Sequence, residues 1–294
     1  MLRVLQVLPA LTHCGGIEAY LLNYYRHLDY QRVNFDFITH GEVLPEIRQE
    51  IESCGGRVFQ ADPISLATLR SLDRWIWQFL QQHAREYTAI HCHMANAGFL
   101  YFPLAQAAGI RVCILYSHNN RAAAVWSHAV RNMPLIRMGD ACATHRVACS
   151  AEAGRFLFGS LPFEQIRNAM DVNSFMPNAD RRAQMRCQLG MEQACIVGHV
   201  GRLDPQKNQM FLLRVFDGLY VENEPQQFAN TIAWLLGHDD ERLCAGIRAR
   251  KFVELHHSNE ATLPILQSLY QEVAQEWQEE CVCVAKVTEG ESKS

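Results

Sequence analysis

One alternation runs through the first 160 residues. Short β-rich runs, RVLQVL (3–8), NFDFIT (34–39), RVFQ (57–60), AIHCH (89–93), RVCILYS (111–117) and RVACS (146–150), are separated by segments of helical periodicity at 17–28, 44–54, 66–85 and 97–108, with another at 151–158. Strands joined through helices close as right-handed crossovers, which makes the strands parallel and covers both faces of the sheet with helices. Hydrophobic residues make up 49% of the chain and charged residues 20%, enough to bury such a sheet and to exclude wholesale disorder. The expected class is therefore α/β, with residues 1–175 forming a doubly wound parallel domain able to fold alone. In its helix at 66–85, Leu69, Leu72, Ile76, Phe79 and Leu80 share one stripe. Trp75 and Trp77 lie beside that stripe among Arg70, Arg74 and Arg85; core packing under solvated arginines is expected, with a membrane-facing surface as the alternative.

The pattern changes after residue 170. A polar linker at 176–193 leads to ACIVGHV (194–200), which reads as a strand, then the loop GRLDPQKN and a helix from about 208 to 216. Apart from LYV at 219–221, residues 225–280 read as helices, and 281–294 as a disordered tail. A second sheet of five or six strands needs on the order of 150 residues. The module at 194–280 is thus expected to begin as an α/β domain and to run out of strands.

Charge and cysteine usage narrow the function classes. The 27 basic and 31 acidic residues give a net charge of −4, no footprint for a nucleic-acid binder. Eleven cysteines, an odd number scattered without a CxxC, fit a reducing compartment. Gln6 interrupts the apolar start of the chain, so a signal peptide is not expected, and no apolar run is long enough to span a membrane.

In an open parallel sheet, ligands bind at the carboxyl ends of the strands, so the loops after each strand carry the chemistry. After the first strand, Gly15 and Gly16 precede a helix with Glu18 in its first turn. Paired glycines allow close backbone approach and a helix N-terminus favours an anion, although a plain tight turn has the same pattern. GxGxxG is absent and Asp36 lies inside its strand, which disfavours a nicotinamide-dinucleotide site. His91 and His93 share a strand face at a spacing that suits a metal, but no third ligand cluster accompanies them, and polar-lining histidines are the better reading. His118 follows the fifth strand, where it can donate to a substrate or transfer a proton. In GRLDPQKN, Arg202 and Lys207 have the donors for a diphosphate; a solvated basic loop is the alternative.

Taken in order, VLQVLPALTHCGGIEAYLLNYYRHL, FDFITHG, AIHCHMANAG, YSHNN, VACSAEAGRFLFG, IRNAMDVNSF and GHVGRLDPQKNQMFLLRVF resemble the family-4 glycosyltransferases, and most closely those that build capsular or exopolysaccharide. The resemblance implies the GT-B fold of two facing Rossmann-like domains, the first complete over 1–175 and the second incomplete and mostly helical. It implies transfer of a sugar, with retention, from a nucleotide-sugar donor to a saccharide or lipid-linked acceptor in cell-surface polysaccharide synthesis. Neither a metal nor a permanently bound cofactor is expected, and the setting is the cytoplasm, at most peripheral to the inner face of the plasma membrane. Gly15, Gly16, Arg202 and Lys207 then hold the donor diphosphate, His118 is the catalytic residue beside the transferred sugar, and His93, Asn119 and Arg121 are acceptor-side candidates. One departure matters. Family members carry a Glu-x7-Glu donor loop, whereas here the chain passes from Phe216 and Asp217 to a segment resembling one well beyond it. Glu272 and Glu280 have the spacing but not the surrounding loop. Low or absent activity is therefore expected, the alternatives being a noncatalytic binding remnant or a nucleotide-sugar epimerase of the same fold.

Overall fold

The computed structural model of the protein describes residues 2–13, 15–120, 126–194, 196, 198–201, 209 and 225–291, and for 126–129, 225–229 and 277–291 the helical backbone only. Seven strands, β1 (Leu2–Leu8), β2 (Val33–Thr39), β3 (Val58–Gln60), β4 (Ala89–Cys92), β5 (Val112–Ser117), β6 (His145–Ala148) and β7 (Glu164–Gln165), form one sheet in the order β3-β2-β1-β4-β5-β6-β7. Every neighbouring pair is parallel. Six of these strands coincide, within a residue or two at most ends, with the β-rich runs; β7, two residues long, is too short to show any alternation.

Around the sheet run α1 (Gly16–Arg26), α2 (Pro45–Ser53), α3 (Leu69–His83), α4 (Gly98–Ala107), α5 (Trp126–Cys142) and α6 (Ala151–Phe158). After residue 170 come α7 (Ala179–Gln188), α8 (Pro225–Gly237), α9 (Asp239–His257) and α10 (Asn259–Glu291). Helix α5 has no counterpart among the periodic segments, because Pro134 and Gly139 interrupt its pattern. Its Gly139 meets Gly98 of α4: a Cβ on Gly139 would lie 2.9 Å from the Phe99 nitrogen, so only glycine permits this crossing.

The chain divides into two compact units, residues 1–170 with 257–294, and residues 171–256. In the first, side chains alternate along each strand into two cores. Leu5, Val7, Ile38, Ile90, Cys113 and Leu115 pack under α3, α4 and α6 with Leu72, Ile76, Tyr101, Phe102 and Leu157. Val4, Leu8, Phe35, Phe37 and Ile114 face the other way, against Leu21, Tyr24 and Tyr25 of α1, Ile47 and Ile51 of α2, and Leu266, Leu269, Tyr270 and Val273 of α10. Helix α10 thus completes the covering of the sheet; Ser258 caps it, its hydroxyl accepting from the Ala261 amide at 3.1 Å. In the middle of β2, Asp36 is fully buried. Arg3 (2.6 Å), Arg57 (2.8 Å) and the Tyr87 hydroxyl (2.9 Å) all bond to it. Its role is structural, which accounts for an acidic residue inside a strand.

The second unit is helical in its described residues. No residue of α7 or α9 is buried, and Leu243, Ile247 and Leu255 are each at least 60% exposed. Two expectations differ here. The described residues of 194–200 belong to no strand, and Val200 is fully exposed; a parallel strand needs a neighbour for its backbone, and the described residues of this unit supply none. Helix α10 also continues to Glu291, past residue 281 where a disordered tail is expected. The expected helix at 208–216, the strand at 219–221 and the Phe216–Asp217 junction lie outside the described residues.

Candidate functional site

The strand order reverses at β1: β2 and β3 extend to one side, β4 to β7 to the other. Ligands in such sheets bind at the crevice this reversal opens beyond the strand carboxyl ends. A cleft of about 220 Å³ lies there, walled by Pro9 after β1, His93 to Asn96 after β4, and Tyr116 to Asn119 at the end of β5. Ile17 of α1, Ile136 of α5, and Phe156 and Leu157 of α6 close its sides.

Behind the cleft lies a polar file inside the α1- and α10-facing core. Gln6 of β1 and His91 of β4 are register neighbours, both fully buried. The Gln6 amide nitrogen donates to the Tyr270 hydroxyl at 3.1 Å, and its oxygen lies 2.9 Å from His93 Nε2. His93 Nδ1 lies 2.8 Å from His118 Nε2, and His91 Nδ1 lies 2.9 Å from the Tyr270 hydroxyl. Tyr116 stacks on His118 with ring centroids 4.1 Å apart, and Tyr20 meets His118 edge-on at 5.5 Å. Burial pushes His91 and His118 down to about 3, and holds His93 well below the ordinary histidine range with help from its two neighbours. All three imidazoles are therefore neutral at physiological pH.

This geometry redistributes the sequence candidates. His118 and Asn119 line the cleft. His93 also touches it, 2% exposed and with both ring nitrogens engaged, Nε2 by Gln6 and Nδ1 by His118. Gly15 caps α1 with φ −104°, an ordinary conformation. Its missing side chain makes room for Glu18, whose carboxylate occupies the position a Cβ would take, with Oε2 only 1.6 Å from it. Beyond its chain neighbours and its own helix, no atom of the described residues lies within 4 Å of a Cβ placed on Gly16, so among the described residues the helix N-terminus is open there. Arg121, Arg202 and Lys207 lie outside the described residues. Among the described residues no three His, Cys, Asp or Glu side chains gather as a metal site. Glu272 is exposed within α10, whose helix runs unbroken through residue 280, so the Glu-x7-Glu spacing there belongs to a helix and not to a loop. Gln6, Tyr116 and Tyr270 escaped the sequence reading; the one available signal was Gln6 itself, a polar residue between Val4 and Leu8 on a buried strand face.

The profile of the Glycosyl transferase 4-like domain matches residues 15–165. EpsF of Bacillus subtilis (strain 168), named as a glycosyltransferase, is 32% identical over 222 residues, which is 72% of this chain and 57% of EpsF. The chain belongs to the glycosyltransferase 4-like family. Among solved structures, Anabaena Alr3699/HepE in complex with UDP-glucose matches with a TM-score of 0.56 at 19% identity, over 74% of this chain and 57% of that one. The same protein in complex with UDP and glucose matches with a TM-score of 0.56 at 18% identity, covering 75% of this chain and 59% of the other. The fold of this glycosyltransferase-family chain is accordingly GT-B-like α/β, and the chain spans under three fifths of the length of these relatives. No described helix of it is long and apolar enough to cross a membrane.

Proposed function

We propose that this protein takes part in retaining transfer of a sugar from a nucleotide-sugar donor to a saccharide or lipid-linked acceptor in cell-surface polysaccharide synthesis. The observation that carries the reading is the cleft at the reversal point of the sheet, with His118 on its wall, in a chain of this family. HepE, of the same fold, is a UDP-glucose complex, which favours a uridine diphosphate sugar as the donor. Gly16 borders the open space where donor phosphates approach, and Arg202 and Lys207 are assigned to neutralise the leaving diphosphate, the main electrostatic contribution to such a transfer. His118, neutral down to about pH 3, is too weak a base to store a proton at neutral pH, so it acts by hydrogen bonding and orientation of a sugar hydroxyl. The exposed Trp77 and Leu66, beside Arg70 and Arg74 of α3, suit a peripheral approach to a membrane that holds a lipid-linked acceptor.

The test uses the chain with a relative's donor-loop segment restored between Phe216 and Asp217, assayed with a panel of nucleotide sugars and membrane lipid extract. His118→Ala in that background is expected to lower transfer roughly 100-fold, with nucleoside diphosphate affinity unchanged. A product of inverted anomeric configuration, or full activity without His118, overturns the reading.

A further inference from the structure

We infer that Gln6 and Tyr270, neither of which reaches the cleft, are positioning residues that decide whether Nδ1 of His118 is offered to a ligand as a hydrogen-bond acceptor or as a donor. The inference rests on the reading of His118 given above and is built from hydrogen-bond direction alone. An amide nitrogen only donates and an amide oxygen only accepts. With the Gln6 nitrogen directed at the Tyr270 hydroxyl (3.1 Å), the Gln6 oxygen must accept from His93 Nε2 (2.9 Å). The proton of neutral His93 is then on Nε2, which makes His93 Nδ1 an acceptor. His118 Nε2, 2.8 Å away, must carry the proton of that ring. Nδ1 of His118 is left as an acceptor, matched to a hydroxyl that donates, the commonest group on a sugar.

At the far end the Tyr270 hydroxyl accepts from Gln6 and has its own proton to donate to His91 Nδ1 at 2.9 Å, which puts the His91 proton on Nε2, a buried nitrogen with no hydrogen-bond partner among the described residues. Turning over the Gln6 amide reverses every bond at once: Tyr270 donates to Gln6, His91 donates to Tyr270, Gln6 donates to His93, His93 donates to His118, and the His118 proton moves to Nδ1. His118 would then present a donor. The file thus has two all-or-none proton arrangements, and Gln6, clamped by a residue of α10, is the pivot between them. A buried glutamine on a strand face otherwise filled by Val4 and Leu8 thereby acquires a function. A hydroxyl ligand is selected by a hydrogen-bond chain that begins at Tyr270 on α10, 264 residues along the chain from Gln6.

The experiment is a long-range 1H–15N correlation spectrum of the full chain labelled at histidine nitrogen, which reports protonation at each ring nitrogen. In the wild type, His118 and His93 are expected protonated at Nε2 and bare at Nδ1. Tyr270→Phe and Gln6→Met release the pivot, so the His118 nitrogens should lose their single-tautomer shifts and move toward averaged values. Phe35→Leu, which disturbs the packing of Tyr270 (ring centroids 5.5 Å apart) without removing a hydrogen bond, should leave them unchanged. A wild-type His118 protonated at Nδ1 overturns the inference, and this reading requires no variant to fold. Unchanged His118 shifts in both folded variants overturn it as well. If His118 follows Gln6 but the restored chain transfers sugar equally well without His118, the positioning stands and the proposed role of His118 in transfer falls.

Discussion

Three imidazoles held neutral behind one cleft make the sheet's centre sensitive to acid. His91 and His93 are essentially fully buried, and burial, first among the causes, holds both far below the roughly 6.5 of an unfolded histidine. Between about pH 6.5 and 3 the unfolded chain therefore binds protons that the folded chain refuses, so stability falls as pH drops through that window and is flat above it. Each imidazole contributes up to about 1.4 kcal/mol per pH unit. From pH 7 to pH 5 these two should together cost roughly 3 to 4 kcal/mol, with His40, buried and likewise shifted down, adding in the same direction. Urea midpoints measured across this range check it: the slope should shrink in His91→Phe, and a midpoint independent of pH between 7 and 5 would contradict the buried-neutral assignment.

Among the elements, α10 changes what the N-terminal half can do alone. Alternation in the sequence suggests that residues 1–175 fold autonomously, yet four side chains of α10, Leu266, Leu269, Tyr270 and Val273, are at most 2% exposed against that half's sheet. Burying each contributes roughly 1.5 to 3 kcal/mol, as an upper estimate. Their sum, about 6 to 12 kcal/mol, rivals the whole stability of a typical domain, about 5 to 15 kcal/mol. Removing α10 also leaves Gln6 and His91 without the Tyr270 hydroxyl. A protein ending at residue 175 should accordingly bind a hydrophobic dye and melt without a sharp transition, whereas joining residues 257–276 to it through a flexible linker should restore cooperative unfolding. Calorimetry of the two forms decides; a cooperative transition of equal midpoint in both would show that α10 is dispensable.

For the molecule as a whole, the decisive quantity is how much of a donor site the chain retains. The first unit carries the cleft, His118 and the glycines at α1, but the described residues of the second unit form no sheet, and the Glu-x7-Glu spacing falls on α10. A misplacement of about 1 Å at the reacting carbon can cost ~100-fold, and the absence of a whole sugar-orienting loop, which the sequence resemblance implies, should cost more. Glycosyl transfer by the chain as it stands is therefore expected to be at least ~1,000-fold slower than by the restored form described above, with weak nucleotide binding retained. Turnover of the two forms at equal rate would show that another part of the chain supplies the donor contacts.

Local signals determined a great deal. The short β-rich runs and the helical segments between them placed six strands and five helices of the first unit, because in a parallel sheet each strand is apolar on both faces and each helix shows one apolar stripe. The carboxyl-end rule then pointed to His118, since a residue's position relative to a strand end is a property of the local chain. Tertiary structure alone decided the rest. Gln6 read as no more than a break in an apolar run, and Tyr270 as one aromatic in a helical stretch, because a hydrogen bond between residues 264 positions apart leaves no trace in either neighbourhood. The place of α10 was hidden for the same reason: periodicity shows that a helix has a face to bury, and only the folded chain shows which sheet receives it.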